Sequence, residues 1–271
     1  MNKTERHSLL FICLFFILSF SACSNEGRDL YQPSKELTYV IVHGAWGGSW
    51  AFREVDSILT FRGHNVYRPS LTGLGERVHL SSPSNDLSTH IKDVINHILY
   101  EDLHDIILVG HSYGGMVISG VADSLPERIQ KLVYLEALVP ENGENVLDVF
   151  GEKKAAWAKA MVQDGYMVPP WLTNNLLLVG KDNIPGDVPQ SYKTFTEPIL
   201  LKNQTGNGLP AKYILTVEEG GKAEEDDFAL SAKRAKDKGW TYYEMTADHN
   251  PQWSAPEALV DLLTQVSITD Y

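Results

Sequence analysis

The sequence predicts an α/β domain: a mostly parallel sheet with helices on both faces. Three observations predict it. Short apolar runs rich in β-branched residues alternate with stretches of helical periodicity, several of those runs are continuously apolar, and the alternation spans most of the chain. Leu37–Val42 reads as the first strand, ending in the turn-like pair His43-Gly44. Trp50–Phe61 carries apolar residues at helical spacing and stops at Gly63; Val66–Tyr67 is a short strand before Pro69. Leu87, Ile91, Val94, Ile95 and Ile98 place one amphipathic helix over Asp86 to Tyr100. Ile106–Val109 is a buried strand, Met116–Ser124 a helix, and Leu132–Leu135 another strand. Lys212–Val217 and Thr241–Met245 read as strands flanking a helix over Phe228–Lys236. Ser254 and Glu257 have capping-box spacing, so a last helix is expected to start there. One segment, about 140–205, breaks the rhythm. It holds Trp157, Met161, Tyr166, Met167 and Trp171 and no clean strand, and is expected to be a helical cap inserted over the sheet edge.

The first 22 residues read as a signal peptide. Lys3 and Arg6 precede the apolar stretch Leu9–Phe20, and small residues follow at Ser21-Ala22. Twelve apolar residues are too few for a bilayer span, which needs about 20. The segment resembles a bacterial lipobox cut before Cys23. That resemblance implies an exported lipoprotein facing the periplasm or cell surface, held at the membrane by lipid on Cys23. The alternative is an ordinary signal peptide with an incidental cysteine. After such a cut Cys13 is gone and Cys23 is acylated, so no intramolecular disulfide is expected. Residues 23–36 are polar, carry Gly27 and Pro33, and read as a tether; the domain itself is 37–271.

Composition narrows the function classes. At 43% hydrophobic and 21% charged, the 271-residue chain is no disordered or collagenous polymer. A net charge of −12 with no basic stripe argues against nucleic acid as a partner. No H-x-x-x-H or clustered Cys/His spacing supports a metal site.

The chemistry centres on Gly110-His111-Ser112-Tyr113-Gly114-Gly115. A G-x-S-x-G string is weak alone, but here a strand precedes it and a helix follows, the context a nucleophile elbow requires. Ser112 is then exposed at the C-terminal edge of the sheet. A serine hydroxyl needs a base, and His249, on the loop after the last strand, is the candidate. Of the other histidines, His43 and His111 sit in turns and are expected to shape the backbone. His64, His90, His97 and His104 are expected to be solvated, and His79 is a possible lining residue of the pocket. Acyl transfer also needs two amide donors for the oxyanion. The residue after the nucleophile, Tyr113, offers one; Ala45, in His43-Gly44-Ala45-Trp46-Gly47-Gly48, offers the other.

These strings, with Asp248-His249 and the later Pro256-Glu257-Ala258-Leu259, resemble the α/β-hydrolase superfamily. More narrowly they resemble the small group of plant methylesterases and hydroxynitrile lyases and its bacterial esterase relatives. Leu71-Thr72-Gly73-Leu74-Gly75-Glu76-Arg77 and Leu132-Val133-Tyr134-Leu135-Glu136-Ala137 are similar to the bacterial branch. The likeness covers about Leu37 to Leu263 and implies an α/β-hydrolase fold and a cofactor-free serine hydrolase.

The acid departs from that pattern. Methylesterases carry an aspartate after the strand equivalent to Lys212–Val217, where this chain has Glu218 and Glu219. Glu219 is the match by register. Its rival is Glu136, at the end of the Leu132–Leu135 strand, a position resembling the one haloalkane dehalogenases use. Glu136 is the favoured acid, with Glu219 as the alternative. Ser112 in place of aspartate argues against a dehalogenase, and Asn250 in place of lysine against a hydroxynitrile lyase. The expectation is a carboxylic-ester hydrolase working through an acyl-enzyme, with a Trp-, Met- and Tyr-rich cap suited to a small apolar or aromatic ester. The alternative is a non-catalytic lipoprotein that binds a small molecule on a hydrolase fold.

Overall fold

The computed structural model describes residues 35–172 and 185–269. The signal peptide, Cys23 and the tether up to residue 34 lie outside the described residues. Six strands form one parallel sheet: β1 (Thr38–Val42), β2 (Asn65–Tyr67), β3 (Ile106–Ser112), β4 (Ile129–Ala137), β8 (Ala211–Val217) and β9 (Thr241–Thr246). Their order is β2-β1-β3-β4-β8-β9. Each strand is joined to the next by a crossover that carries a helix or, between β4 and β8, the cap, so both faces are covered.

That coverage explains the continuous apolar runs. Alternate residues of one strand enter opposite cores: Val40, Leu108, Leu132 and Tyr213 on one side, Tyr39, Ile107, Val133 and Ile214 on the other. The first core packs under α2 (Leu87–Tyr100), α3 (Gly114–Ser124) and α7 (Ala229–Asp237); the second under α1 (Arg53–Phe61) and α9 (Pro256–Ile268). Asp86 caps α2 by accepting the Thr89 N–H at 2.9 Å, which starts that helix where its sequence pattern does. The buried Lys131 donates to the carbonyls of Val266, Ser267 and Thr269, answering the negative end of α9 with a cation.

Two expectations are corrected here. The capping box at Ser254 does not form, because Ser254 ends the short α8 (Pro251–Ser254) and its hydroxyl donates to Asp248 at 2.8 Å. A residue before proline is pushed out of the helical region, so Ala255 sits at φ −150° and α9 starts at Pro256, whose missing N–H costs nothing there.

The segment between β4 and β8 is the second. Besides α4 (Val146–Phe150), α5 (Glu152–Ala160) and α6 (Lys193–Thr196), it contains a three-stranded antiparallel sheet of β5 (Val162–Gln163), β6 (Tyr166–Met167) and β7 (Gln190–Ser191). Strands of two residues show no period to read. What makes the hairpin is Asp164-Gly165, with φ of 49° and 83°, the left-handed pair that a tight two-residue turn demands.

Candidate active site

Ser112 ends β3 at φ 55°, a left-handed conformation that a side-chain-bearing residue rarely adopts. The surrounding glycines permit it. A Cβ on Gly114 would stand 2.6 Å from the Val42 carbonyl, and one on Gly115 only 2.2 Å from that of Leu138. The elbow therefore needs glycine at both positions for α3 to pack so closely behind the serine. All of Gly114 to Ala122 is buried.

The candidate base follows the last strand. The loop after β9 places His249 so that its Nε2 stands 3.1 Å from Ser112 Oγ. Phe228 stacks on the imidazole at 5.0 Å and 12° between planes. His111 tethers the same loop, since its Nε2–H donates to the His249 carbonyl at 2.8 Å. Burial and the neighbouring His249 push the His111 ring down to about 3, so it stays a neutral donor.

Glu136 is brought to this pair, and Glu219 is not. The β3–β4 ladder passes from His111–Leu135 to Ser112–Ala137, leaving Glu136 as the extra residue of a bulge at φ 44°. The bulge turns the carboxylate toward His249, with Oε1 3.8 Å from Nδ1, an ion-pair separation longer than a hydrogen bond. Oε2 accepts the Thr216 N–H at 2.7 Å. Burial pushes the carboxyl above the usual carboxylate range, while His249 and the Thr216 amide pull it back. Glu219 is exposed on the turn after β8.

Both expected oxyanion residues flank the serine. Tyr113 is the N-cap of α3, and Ala45 follows β1, whose end lies beside β3 through the Val42–Gly110 pair. Among the described residues neither amide donates a hydrogen bond to another group. Ala45, Ser112 and His249 line one cleft of about 410 Å³, with Trp46, Trp171 and Trp253 on its walls. Asp187 also faces it and accepts the Trp171 indole N–H at 2.9 Å. Among the described residues no cluster of three or more His, Cys, Asp or Glu could hold a metal ion.

Several histidines differ from expectation. His43 and His111 do shape backbone: His43 accepts the Leu71 N–H on Nε2 while its Nδ1–H donates to the Gly44 carbonyl. His90 and His64 are buried rather than solvated. His64 accepts the Leu37 N–H. His90 lies in the inward stripe of α2 with Leu87, Val94 and Ile98 and pairs with the Tyr113 hydroxyl at 2.9 Å, a signal already present in its helical spacing. His97 is half-buried, His104 is exposed, and His79 is exposed outside the cleft. Phe228, Thr216 and the bulge at Glu136 leave no signal in the sequence because each acts through a contact between segments distant along the chain.

Comparison with known proteins agrees with this geometry. The family model described as "Alpha/beta hydrolase family" matches residues 39–262. The chain is 36% identical over 239 residues to a carbendazim hydrolyzing esterase of Nocardioides sp. (strain SG-4G), covering 83% of this chain and 97% of that one. It is 28% identical over 156 residues to methylesterase 2 of Arabidopsis thaliana, covering 56% of this chain and only 55% of that relative. Among solved structures, an extracellular alpha/beta-hydrolase from a Paenibacillus species superposes with a TM-score of 0.71 at 23% identity, covering 85% of this chain and 98% of that one. A strand-edge serine beside a histidine, on a parallel sheet that this family model spans almost end to end, leaves one assignment: the chain belongs to the alpha/beta hydrolase family.

Proposed function

We propose that the protein hydrolyses small carboxylic esters through a covalent acyl-serine at Ser112. The observation that carries this is the 3.1 Å approach of His249 Nε2 to the Oγ of a half-buried Ser112 that lines the cleft on a left-handed elbow. His249 takes the hydroxyl proton as Oγ attacks the ester carbonyl carbon, and the amides of Ala45 and Tyr113 receive the oxyanion. Collapse of the tetrahedral intermediate breaks the bond to the leaving alkoxide, which His249 protonates. A water then gives its proton to His249 and attacks the acyl carbon, releasing the acid and restoring Ser112. Glu136 stabilises the imidazolium in both halves. Ester hydrolysis is supported by the relatives named as an esterase and a methylesterase. The tryptophan walls of the cleft favour an apolar or aromatic ester.

The test is a phosphonate ester followed by peptide mass spectrometry, beside turnover of an aryl acetate. One adduct, at Ser112, and measurable turnover are expected. An adduct at another residue overturns the mechanism, and stoichiometric binding without turnover favours the non-catalytic reading.

Membrane anchoring through Cys23 belongs to the same proposal and is supported by the sequence pattern ahead of that cysteine. Among the described residues no helix is long and apolar enough to cross a membrane. One acyl chain binds only marginally, so firm anchoring takes the several chains of a lipoprotein. Cys23→Ser should release the protein from the membrane fraction; unchanged partitioning removes the anchor.

A further inference from the structure

The residue after Ala45 is held from outside the sheet domain. Trp46 sits at φ 63°, a left-handed conformation that is an outlier for a bulky side chain. All three of its polar groups bond to the cap. Its N–H donates to Gln190 Oε1 at 2.8 Å, its carbonyl accepts the Val188 N–H at 2.9 Å, and its indole N–H donates to the Met167 carbonyl at 3.2 Å. The ring stacks on Phe195 at 5.8 Å and meets Trp171 edge-on at 5.3 Å. The Ala45–Trp46 peptide is therefore held on its carbonyl by the Gly47 N–H at 2.8 Å and on its N–H by a residue 144 positions away.

Gln190 is 1% exposed, and its amide has one self-consistent orientation. Thr194 spends its hydroxyl proton on the Ser191 carbonyl at 2.8 Å, so it accepts from Gln190 Nε2 at 2.7 Å. That leaves Oε1 facing the Trp46 amide as acceptor. Thr194 also stands beside the Tyr113 hydroxyl. His90 donates through Nε2 to the Thr72 carbonyl, so its Nδ1 takes the Tyr113 proton. Buried hydrogen bonds thus run from the loop after β1 through Gln190 on β7 to Thr194 on α6, which packs beside the Tyr113 hydroxyl. This places Gln190 and Thr194 between Tyr113 and Trp46, the neighbour of Ala45 in the proposed oxyanion hole.

We infer that Gln190 is a positioning residue for that hole, which makes the cap part of the reaction centre. This rests on the reading of Ser112 as nucleophile. Without the Gln190 acceptor the Trp46 N–H is left buried and unpaired, and the Ala45–Trp46 peptide rotates to find another partner. That rotation changes ψ of Ala45, and the compensating turn of the preceding Gly44–Ala45 peptide, which carries the Ala45 N–H, moves that donor off the oxyanion. Donors aimed at an oxyanion act on the transition state, so the loss falls on kcat and leaves KM nearly alone.

Three variants test this against simple docking of the cap. Gln190→Met keeps the length and removes the acceptor; Gln190→Glu keeps an acceptor for Trp46. Ser191→Ala, one residue along β7, cuts a tie between Ser191 Oγ and the Pro83 carbonyl that does not touch the loop. For each, kcat and KM on 4-nitrophenyl acetate, Ki for a trifluoromethyl ketone and the unfolding midpoint are measured. Gln190→Met should lose at least about tenfold in kcat with KM within about twofold, and weaken the ketone by the same factor. Gln190→Glu should recover most of the loss, and Ser191→Ala should stay within about twofold of wild type in kcat, whatever its midpoint. Should Gln190→Met fail to fold, Gln190→Asn, a methylene too short, replaces it. The inference is overturned if kcat merely tracks the unfolding midpoint, if Ser191→Ala is as damaging, or if only KM moves. A wild type that a phosphonate fails to label at Ser112 takes down the nucleophile reading and this inference together. A labelled wild type beside an unimpaired Gln190→Met takes down the positioning role alone.

Discussion

The strand ends and the cap place the proposed reacting groups by different means. Ser112 and Glu136 stand at the ends of adjacent parallel strands, and His249 follows the strand at the sheet's edge, so hydrogen-bond ladders and two buried cores fix their spacing. The loop carrying Ala45 and Trp46 has no ladder. It is held by a glutamine side chain, a carbonyl from a two-residue strand and an aromatic stack. A sheet edge is rigid because many cooperative bonds share the load, whereas the cap concentrates it in single contacts. Damage to the sheet edge should therefore abolish chemistry or folding outright, and damage to the cap should grade activity while the fold persists.

The largest expected effect is Ser112→Ala. In a serine protease, loss of the nucleophile cost about 10⁶ in kcat, and here at least about 10⁴ is expected on an aryl ester with the fold intact by circular dichroism. Residual activity within a hundredfold of wild type would mean that the reacting group lies elsewhere in the cleft.

Acid should attack the sheet edge next. Burial holds His43 and His90 down to about 4 and His111 to about 3, against an ordinary 6.5. The unfolded chain binds a proton at each near pH 6.5, and the native chain does so only near pH 4 or 3. Their contribution is complete above pH 6.5 and is lost as the pH falls toward 4, by about 2 kcal/mol per histidine at pH 5. Glu136 works in the opposite sense, since burial raises its carboxyl and the native state keeps that proton to higher pH. Three histidines outweigh one glutamate, so the urea midpoint should drop steeply between pH 7 and 5. A flat midpoint over that range would show that these rings are hydrated in solution.

The choice of acid gives the third test. Glu136→Gln keeps shape and removes the charge beside His249, so kcat should fall by at least about 10², while Glu219→Gln on its exposed turn stays within about tenfold. The reverse result would mean that the loop after β8 folds onto His249 when substrate binds.

How legible all this was in the sequence follows the same division. Ser112 and His249 were readable because an elbow is local: strand, glycines and helix are contiguous, and the histidine follows a strand. Glu136 was readable as an option, but the bulge that aims it is a register event between β3 and β4 and leaves no mark in either strand alone. Gln190 was unreadable, since its partner lies 144 residues away and the two-residue strand that carries it has no period. Two signals were present and outweighed. The capping spacing at Ser254 yields to Pro256, and Asp164-Gly165 is a hairpin turn whose flanking strands are too short to show alternation. The fold and the candidate nucleophile are local patterns; the support proposed for the oxyanion is tertiary.

The smallest expected effect is also the sharpest test of the contrast. Gly165 sits at φ 83°, and a Cβ there would come 2.9 Å from the Pro83 side chain. Gly165→Val adds a β-branched side chain in a left-handed turn and shifts the β5–β6 hairpin, whose Met167 carbonyl receives the Trp46 indole N–H. No residue of the six-stranded sheet touches that new side chain, so global unfolding should move by less than about 3 °C, which at this size corresponds to about 1 kcal/mol. Activity should nevertheless fall about three- to tenfold in kcat, because the tryptophan next to Ala45 loses one of its three hydrogen bonds. Gly115→Val is the counterpart on the sheet side. Its Cβ would lie 2.2 Å from the Leu138 carbonyl, against backbone that cannot yield, and the variant should not fold. Calorimetry and steady-state kinetics on the pair decide the matter. If Gly165→Val collapses as Gly115→Val does, cap and sheet unfold as one cooperative unit; if its kcat is unchanged, the hairpin does not reach the reaction centre.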